Sequence, residues 1–186
     1  MRYFISIELN DELQTHIKHI QENLSKLTGD TSLTTPNQEH VTLKYLGELN
    51  ETTLNSVRMI LRELICAHKP FKINTTQINA FPSKKNASVI WLGIQPLKKL
   101  IKLHNKMCEL TNIPNLNKTK TYEFRPHITI ARVKPICNKR ELQIFFKRVV
   151  NLKKITINVN EIKLKQSTLT SCGPVHKDIE TFTLRA

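Results

Sequence analysis

The chain has 186 residues, of which 39% are hydrophobic and 24% charged. That is a soluble globular composition, long enough for one well-packed domain or two small lobes sharing a core and too short for two ordinary domains. Its 29 Lys and Arg against 15 Asp and Glu give a formal charge of +14, a surface that attracts polyanions but that a lysine-rich solubility surface would also produce, so charge points toward nucleic acid without naming it. No stretch approaches the ~18 consecutive apolar residues of a membrane helix. The opening MRYFISIELNDEL is broken by Ser6 and Glu8 and does not read as a signal peptide. Cys66, Cys108, Cys137 and Cys172 are isolated, with neither a C-x-x-C pair nor a framework spacing, and so read as free thiols of a reducing compartment. A cytoplasmic protein without a membrane anchor is expected.

In chain order, residues 2–9 read as a strand. Asn10 then caps a helix whose first turn holds Asp11 and Glu12, where the helix dipole favours acids. Leu13, Ile17, Ile20, Leu24 and Leu27 form one apolar stripe that stops near Gly29. A polar stretch runs to Pro36, and 40–46 is a second strand. Thr52 or Thr53 is expected to cap a helix carrying Leu54, Val57, Leu61 and Leu64, which ends before Pro70. Residues 71–81 are extended, and the apolar run at 88–94 predicts a strand buried on both faces. A third helix is expected over 96–111 from Leu97, Leu100, Ile101, His104, Met107 and Cys108. The Asn-, Lys- and Thr-rich stretch 112–124 reads as a loop and 126–133 as a strand. Asn138 caps a fourth helix with Leu142, Phe145 and Phe146 on one side. Alternation at Ile155, Ile157 and Val159, at Ile162 and Leu164, and around 178–184 gives the closing strands. Mixed elements with hairpin neighbours predict α+β rather than a doubly wound parallel sheet.

One feature stands apart. HVTLKYLG at 40–47 and HITIARV at 127–133 repeat one strand frame, His, apolar, Thr, apolar, about half a chain apart. Repetition on that scale predicts two similar halves. In a strand, residues i and i+2 share a face, so His40 and Thr42 stand opposite Val41 and Leu43, and His127 and Thr129 stand opposite Ile128 and Ile130. If two such sheets face one another, two imidazoles and two hydroxyls converge on one cleft.

That set suits a phosphodiester: imidazole titrates near neutrality and serves as base or acid, and hydroxyls can bond phosphate oxygens or hold the rings. Lys44 shares the face of His40 and Thr42 by its i+4 spacing. Arg132 has an odd offset from His127, so it needs a bulge or a strand end to reach the same side. A single His-x-Thr pair is more often a half-buried structural histidine, and a lone Lys44 is more often a solvated lysine. Repetition in matching frames favours the functional reading of the two pairs. His16 and His19 lie off the apolar stripe as surface residues, His68 and His104 are isolated, and Cys172 and His176 straddle Gly173-Pro174, a turn. None of these makes a set of three or four metal ligands, so no metal site is expected.

At these motifs the chain resembles the 2H phosphoesterases, and within them the RNA 2′,3′-cyclic phosphodiesterases, also called 2′-5′ RNA ligases. RYFISIEL resembles the family's opening strand, FPSKKNASVIWLGI its central segment, and LKQSTLTSCGPVHKDIETFTL its closing strands. The resemblance implies one domain over 1–186 made of two similar lobes, a bilobal α+β fold with pseudo-two-fold symmetry, with antiparallel sheets lining a central cleft and helices outside. It implies hydrolysis of an RNA 2′,3′-cyclic phosphate end to a 2′-phosphate, without metal or cofactor. The implied proton donor is His40 and the implied proton acceptor is His127. Thr42, Thr129 and Arg132 carry over as phosphate contacts. The implied partner is RNA with a cyclic phosphate end, tRNA fragments among the candidates, acted on by a monomer. Alternatives are 2′-5′ ligation by the reverse reaction, hydrolysis of small cyclic phosphates, and a non-catalytic RNA-binding module, against which the intact histidines and threonines argue. The chain departs from the family pattern twice. SKKNASVI stands where many relatives have an arginine, with Lys84 or Lys85 as the substitute charge, and His176 stands where many have an aromatic residue.

Overall fold

The computed structural model describes residues 1–28, 31–35, 38–95, 98–111, 124–134, 138–150, 152–171 and 173–185, with the side chains of 27 and 28 also set aside. The expectations for Leu27, Gly29, Pro36, Leu97, the loop over 112–123, Cys137 and Cys172 fall outside these residues. The elements run β1 (Arg2–Glu8), α1 (Asp11–Thr28), β2 (Thr31–Leu33), β3 (His40–Glu48), α2 (Glu51–Cys66), β4 (Phe71–Phe81), β5 (Val89–Ile94), α3 (Lys98–Leu110), β6 (His127–Val133), α4 (Lys139–Arg148), β7 (Thr156–Val159), β8 (Glu161–Thr170) and β9 (Gly173–Thr183).

The fold is α+β. Eight strands form one antiparallel path, β7-β4-β5-β6-β3-β1-β8-β9, and β2 pairs with β6 as a ninth. Outward from the β3–β6 join, each side presents a His-x-Thr strand, its inner neighbour and an outer pair, which is β8 with β9 on one side and β4 with the short β7 on the other. The halves therefore lie side by side in one sheet, rather than as two separate facing sheets. Among the described residues β3 and β6 pair at Val41 opposite Ile128, and β2 adds three further pairs to β6.

Helix boundaries follow from local chemistry. The Asn10 side chain accepts from the Leu13 N–H at 3.1 Å, and the Asn138 side chain accepts from Arg140 and Glu141. The second helix is capped by Asn50, not by Thr52 or Thr53. The Asn50 carboxamide accepts from the Thr53 N–H at 2.8 Å, which satisfies the third helical amide as an N-cap must. Leu13, Ile17, Ile20 and Leu24 are buried as one stripe, each contributing about 1.5–3 kcal/mol of burial. The short β2 breaks the polar stretch that reads as irregular in sequence, and the last strand starts at Gly173 rather than near 178. The strand expected to be buried on both faces is so over Leu92–Ile94, while Val89 and Trp91 are half-exposed beside the buried Ile90. Trp91 places its ring 5.7 Å from that of His127. Among the described residues, no helix is long and apolar enough to cross a membrane.

Candidate active site

The join of β3 and β6 builds the site. With Val41 opposite Ile128, the antiparallel register sets His40 beside Thr129 and Thr42 beside His127. All four project from the face opposite the buried Val41, Leu43, Ile128 and Ile130. They line a cleft of about 340 Å³.

Each strand carries a bulge just past its threonine. On β3, Thr42 pairs with Ser6 and Lys44 with Ile5, leaving Leu43 as the extra residue. On β6, Thr129 pairs with Trp91 and Ala131 with Ile90, leaving Ile130. A bulge reverses the in–out parity of the residues beyond it, so the residue five positions past each histidine, Tyr45 or Arg132, faces the cleft. Arg132 thus arrives by the bulge its odd offset demands. Lys44 does not line the cleft, contrary to its i+4 spacing: the bulge turns it away, to where its charge acts on His104 of α3. The bulged backbone of β6 is held by outside partners. The Ile130 carbonyl accepts from the Thr34 N–H at 2.9 Å and from the buried Gln21 side chain at 3.0 Å, and the Thr34 hydroxyl donates to the Thr129 carbonyl at 3.0 Å.

Both imidazoles are anchored alike. His40 Nδ1 lies 2.8 Å from the Gln38 carbonyl and His127 Nδ1 lies 2.7 Å from the Arg125 carbonyl. A carbonyl only accepts, so each Nδ1 carries the hydrogen and each Nε2 is left for chemistry. Pro126 keeps Arg125 extended, which presents that carbonyl two residues upstream.

The surroundings differ. His40 packs on Phe4 at 4.7 Å and on His176 at 5.2 Å. Burial, opposed by the Gln38 carbonyl and reinforced by His176, Lys165 and His127, pushes its pKa down to about 4. Behind it lies an ion network. The Lys165 ammonium, its side chain 5% exposed, sits 2.9 Å from Glu8 and 3.3 Å from Asp178, and Lys163 sits 2.6 Å from Asp178. His127 instead stands against Phe81 at 5.2 Å and Trp91 at 5.7 Å.

The remaining candidate residues lie away from the chemistry. His68 and His104 bond carbonyls of Leu64 and Leu43 outside the cleft. His16 is half-buried and His19 exposed on α1. Lys84 rests over the Phe146 ring at 5.6 Å, and neither it nor Lys85 lines the cleft. Cys66 and Cys108 are free thiols. Among the described residues, no three His, Cys, Asp or Glu side chains group as metal ligands. A larger groove of about 1000 Å³ lies between α2 and α3, lined by lysines over an apolar floor. It contains neither His-Thr pair, so the chemistry belongs to the smaller cleft. Tyr45 and Gln38 were not singled out by sequence. The signal for Tyr45 was its offset of five from His40, equal to that of Arg132 from His127.

Residues 9–167 match the family model of the 2′-5′ RNA ligase superfamily. The chain belongs to that superfamily. It is 31% identical over 182 residues to a Methanocaldococcus jannaschii protein named RNA 2′,3′-cyclic phosphodiesterase, covering 98% of this chain and 100% of the relative. It is 27% identical over 184 residues to the Methanothermobacter thermautotrophicus protein of the same name, covering 99% of each. In fold it is similar to a Thermus thermophilus protein, with TM-score 0.79 and 23% identity over 100% of this chain and 98% of the other. It is also similar to Escherichia coli LigT in apo form, with TM-score 0.74 and 18% identity over 100% of this chain and 98% of the other.

Proposed function

We propose that this member of the superfamily hydrolyses RNA 2′,3′-cyclic phosphate ends to 2′-phosphate ends by two-histidine acid–base catalysis that uses no metal. The observation that carries the reading is two imidazoles lining one cleft, each tethered through Nδ1 so that Nε2 is the reactive nitrogen. Water attacks phosphorus and gives its proton to His127 Nε2. The P–O3′ bond breaks, and the O3′ leaving group takes a proton from His40 Nε2. Thr42, Thr129 and Arg132 bond the non-bridging oxygens, where hydroxyl and guanidinium donors stabilise developing charge. The two histidines finish with exchanged protons and re-equilibrate through solvent. The 186 residues act as one domain of two like lobes, as a monomer in the cytoplasm, with tRNA fragments among the RNA ends served.

One observation favours the exchanged assignment. With a pKa near 4 in the free protein, His40 is neutral at pH 7 and so is ready to accept a proton. The donor role requires the anionic phosphate to raise that pKa on binding, since an opposite charge beside an imidazole favours its protonated form. Inorganic phosphate should therefore shift the His40 titration upward.

The test is turnover of an oligonucleotide ending in a 2′,3′-cyclic phosphate. His40→Ala and His127→Ala should each lose about 10²–10⁴-fold in kcat, and EDTA should change nothing. Full activity in either variant contradicts the mechanism. Offering a 5′-hydroxyl strand as well compares joined with opened product. Cyclic mononucleotides show how far small substrates suffice.

A further inference from the structure

Phe4, His40 and His176 form a closed aromatic cluster. Their ring centroids are 4.7, 4.9 and 5.2 Å apart, and the His176 ring stands at 85° to that of His40. The cluster is tied by one residue. The His176 backbone N–H donates to the Gln38 side chain at 2.8 Å, and the backbone carbonyl of Gln38 takes the His40 Nδ1–H at 2.8 Å. So β9 holds the ring of His40 directly, by an edge-on contact, and indirectly, through the segment that anchors its Nδ1. His127 has no imidazole neighbour of this kind, since its walls are Phe81 and Trp91. The Nδ1 of His176 is buried and has no hydrogen-bond partner among the described residues. That nitrogen holds nothing in place, so what His176 offers His40 is its ring and its backbone N–H.

We infer that His176 is a positioning residue for His40: its ring and its bond to Gln38 fix the orientation of the imidazole that faces the scissile phosphate. The inference rests on the proposed reading of His40 as an acid–base group. The charged and titratable groups around the pair are Lys165 from β8, Glu8 from β1 and His127 from β6, with Asp178 on β9 engaged by Lys163 and Lys165. His176 also supplies part of the wall that keeps water from His40. Removing its ring should therefore relieve the burial that depresses the His40 pKa.

The experiment compares His176→Ala with His176→Phe. Steady-state kinetics on 2′,3′-cyclic AMP are measured alongside an NMR titration of His40 in the free protein. His176→Ala should lose at least about tenfold in kcat, as a misoriented reacting group does, with KM changed much less. Its His40 titration should move up from about 4 toward the ordinary histidine value. His176→Phe keeps the ring wall and removes the unpaired nitrogen. It should restore most of kcat, hold the His40 titration low, and lose no thermal stability. Parental kcat and an unmoved His40 titration in His176→Ala would overturn the inference, as would a loss in His176→Phe as large as in His176→Ala. A parent protein inert on every cyclic phosphate would overturn the proposed function, while the two His40 titrations would still decide the positioning claim.

Discussion

The two His-x-Thr strands share a frame, a bulge and an anchoring carbonyl, yet their histidines occupy different surroundings. His40 lies near the buried Lys165, which pairs with Glu8 and Asp178, and has His176 edge-on to it. His127 stands against two aromatic walls, Phe81 and Trp91. The repeat thus supplies the atoms twice, and the strands flanking each copy differentiate them. β1, β8 and β9 bury His40 and lower its pKa, while β4 and β5 frame His127. In the free protein that lowering suits a proton acceptor, so the donor role of His40 depends on the substrate phosphate raising its pKa. The bulges make the same point. They deliver Tyr45 to one side of the cleft and Arg132 to the other, so the cleft receives a phenol from one half and a guanidinium from the other.

The pH dependence of stability can break this comparison most visibly after the loss of turnover itself. A histidine whose pKa falls on folding takes its proton more readily in the unfolded chain. Stability should therefore be lost as pH falls from about 6.5 toward about 4, with the His40 share at most about 3 kcal/mol. Urea unfolding of His40→Gln across that window should show a smaller loss than the parent; an equal loss would deny that His40 is the differentiated member. Next in size, Arg132→Ala should lower kcat/KM by about 10–100-fold, the worth of a charge-assisted bond to phosphate. Tyr45→Ala should lose less, because a phenol carries no charge to phosphate. An equal loss would mean that the two arms bind substrate symmetrically. Smallest of all, Lys44→Ala should change kcat/KM by less than about twofold, as a substitution outside the cleft does. A larger effect would return Lys44 to the site.

Most of the fold was legible because long periodic segments carry their own signal. The stripe from Leu13 to Leu24 and the extended run from Phe71 to Phe81 needed no tertiary context. The histidines and threonines were legible for the same reason, since a period of two puts each pair on one face. The features that were not legible depended on partners. Thr31–Leu33 is too short and polar to announce a strand, and becomes one by pairing with Ala131–Val133. Asn50 outranked Thr52 and Thr53 as a cap because its carboxamide meets the Thr53 amide. Lys44 and Tyr45 exchanged sides because a bulge is set by the neighbouring strand, where Ile5 and Ser6 skip Leu43. The pairing of Val41 with Ile128 across the repeat, which joins the halves into one sheet path, has no local sequence signal. His176 was visible as a departure from the family pattern, but its place against His40 was set by Gln38, across a long separation in sequence.

The central claim is that His40 and His127 do opposite jobs, and leaving-group substitution tests it most directly. A 2′,3′-cyclic substrate with sulfur in place of the 3′ oxygen departs as a thiolate and needs no proton. Single-turnover rates of His40→Ala and His127→Ala would be measured on the oxygen and sulfur substrates. The account predicts that sulfur restores most of the rate to His40→Ala and little to His127→Ala. Rescue of His127→Ala alone, or of neither variant, would contradict it.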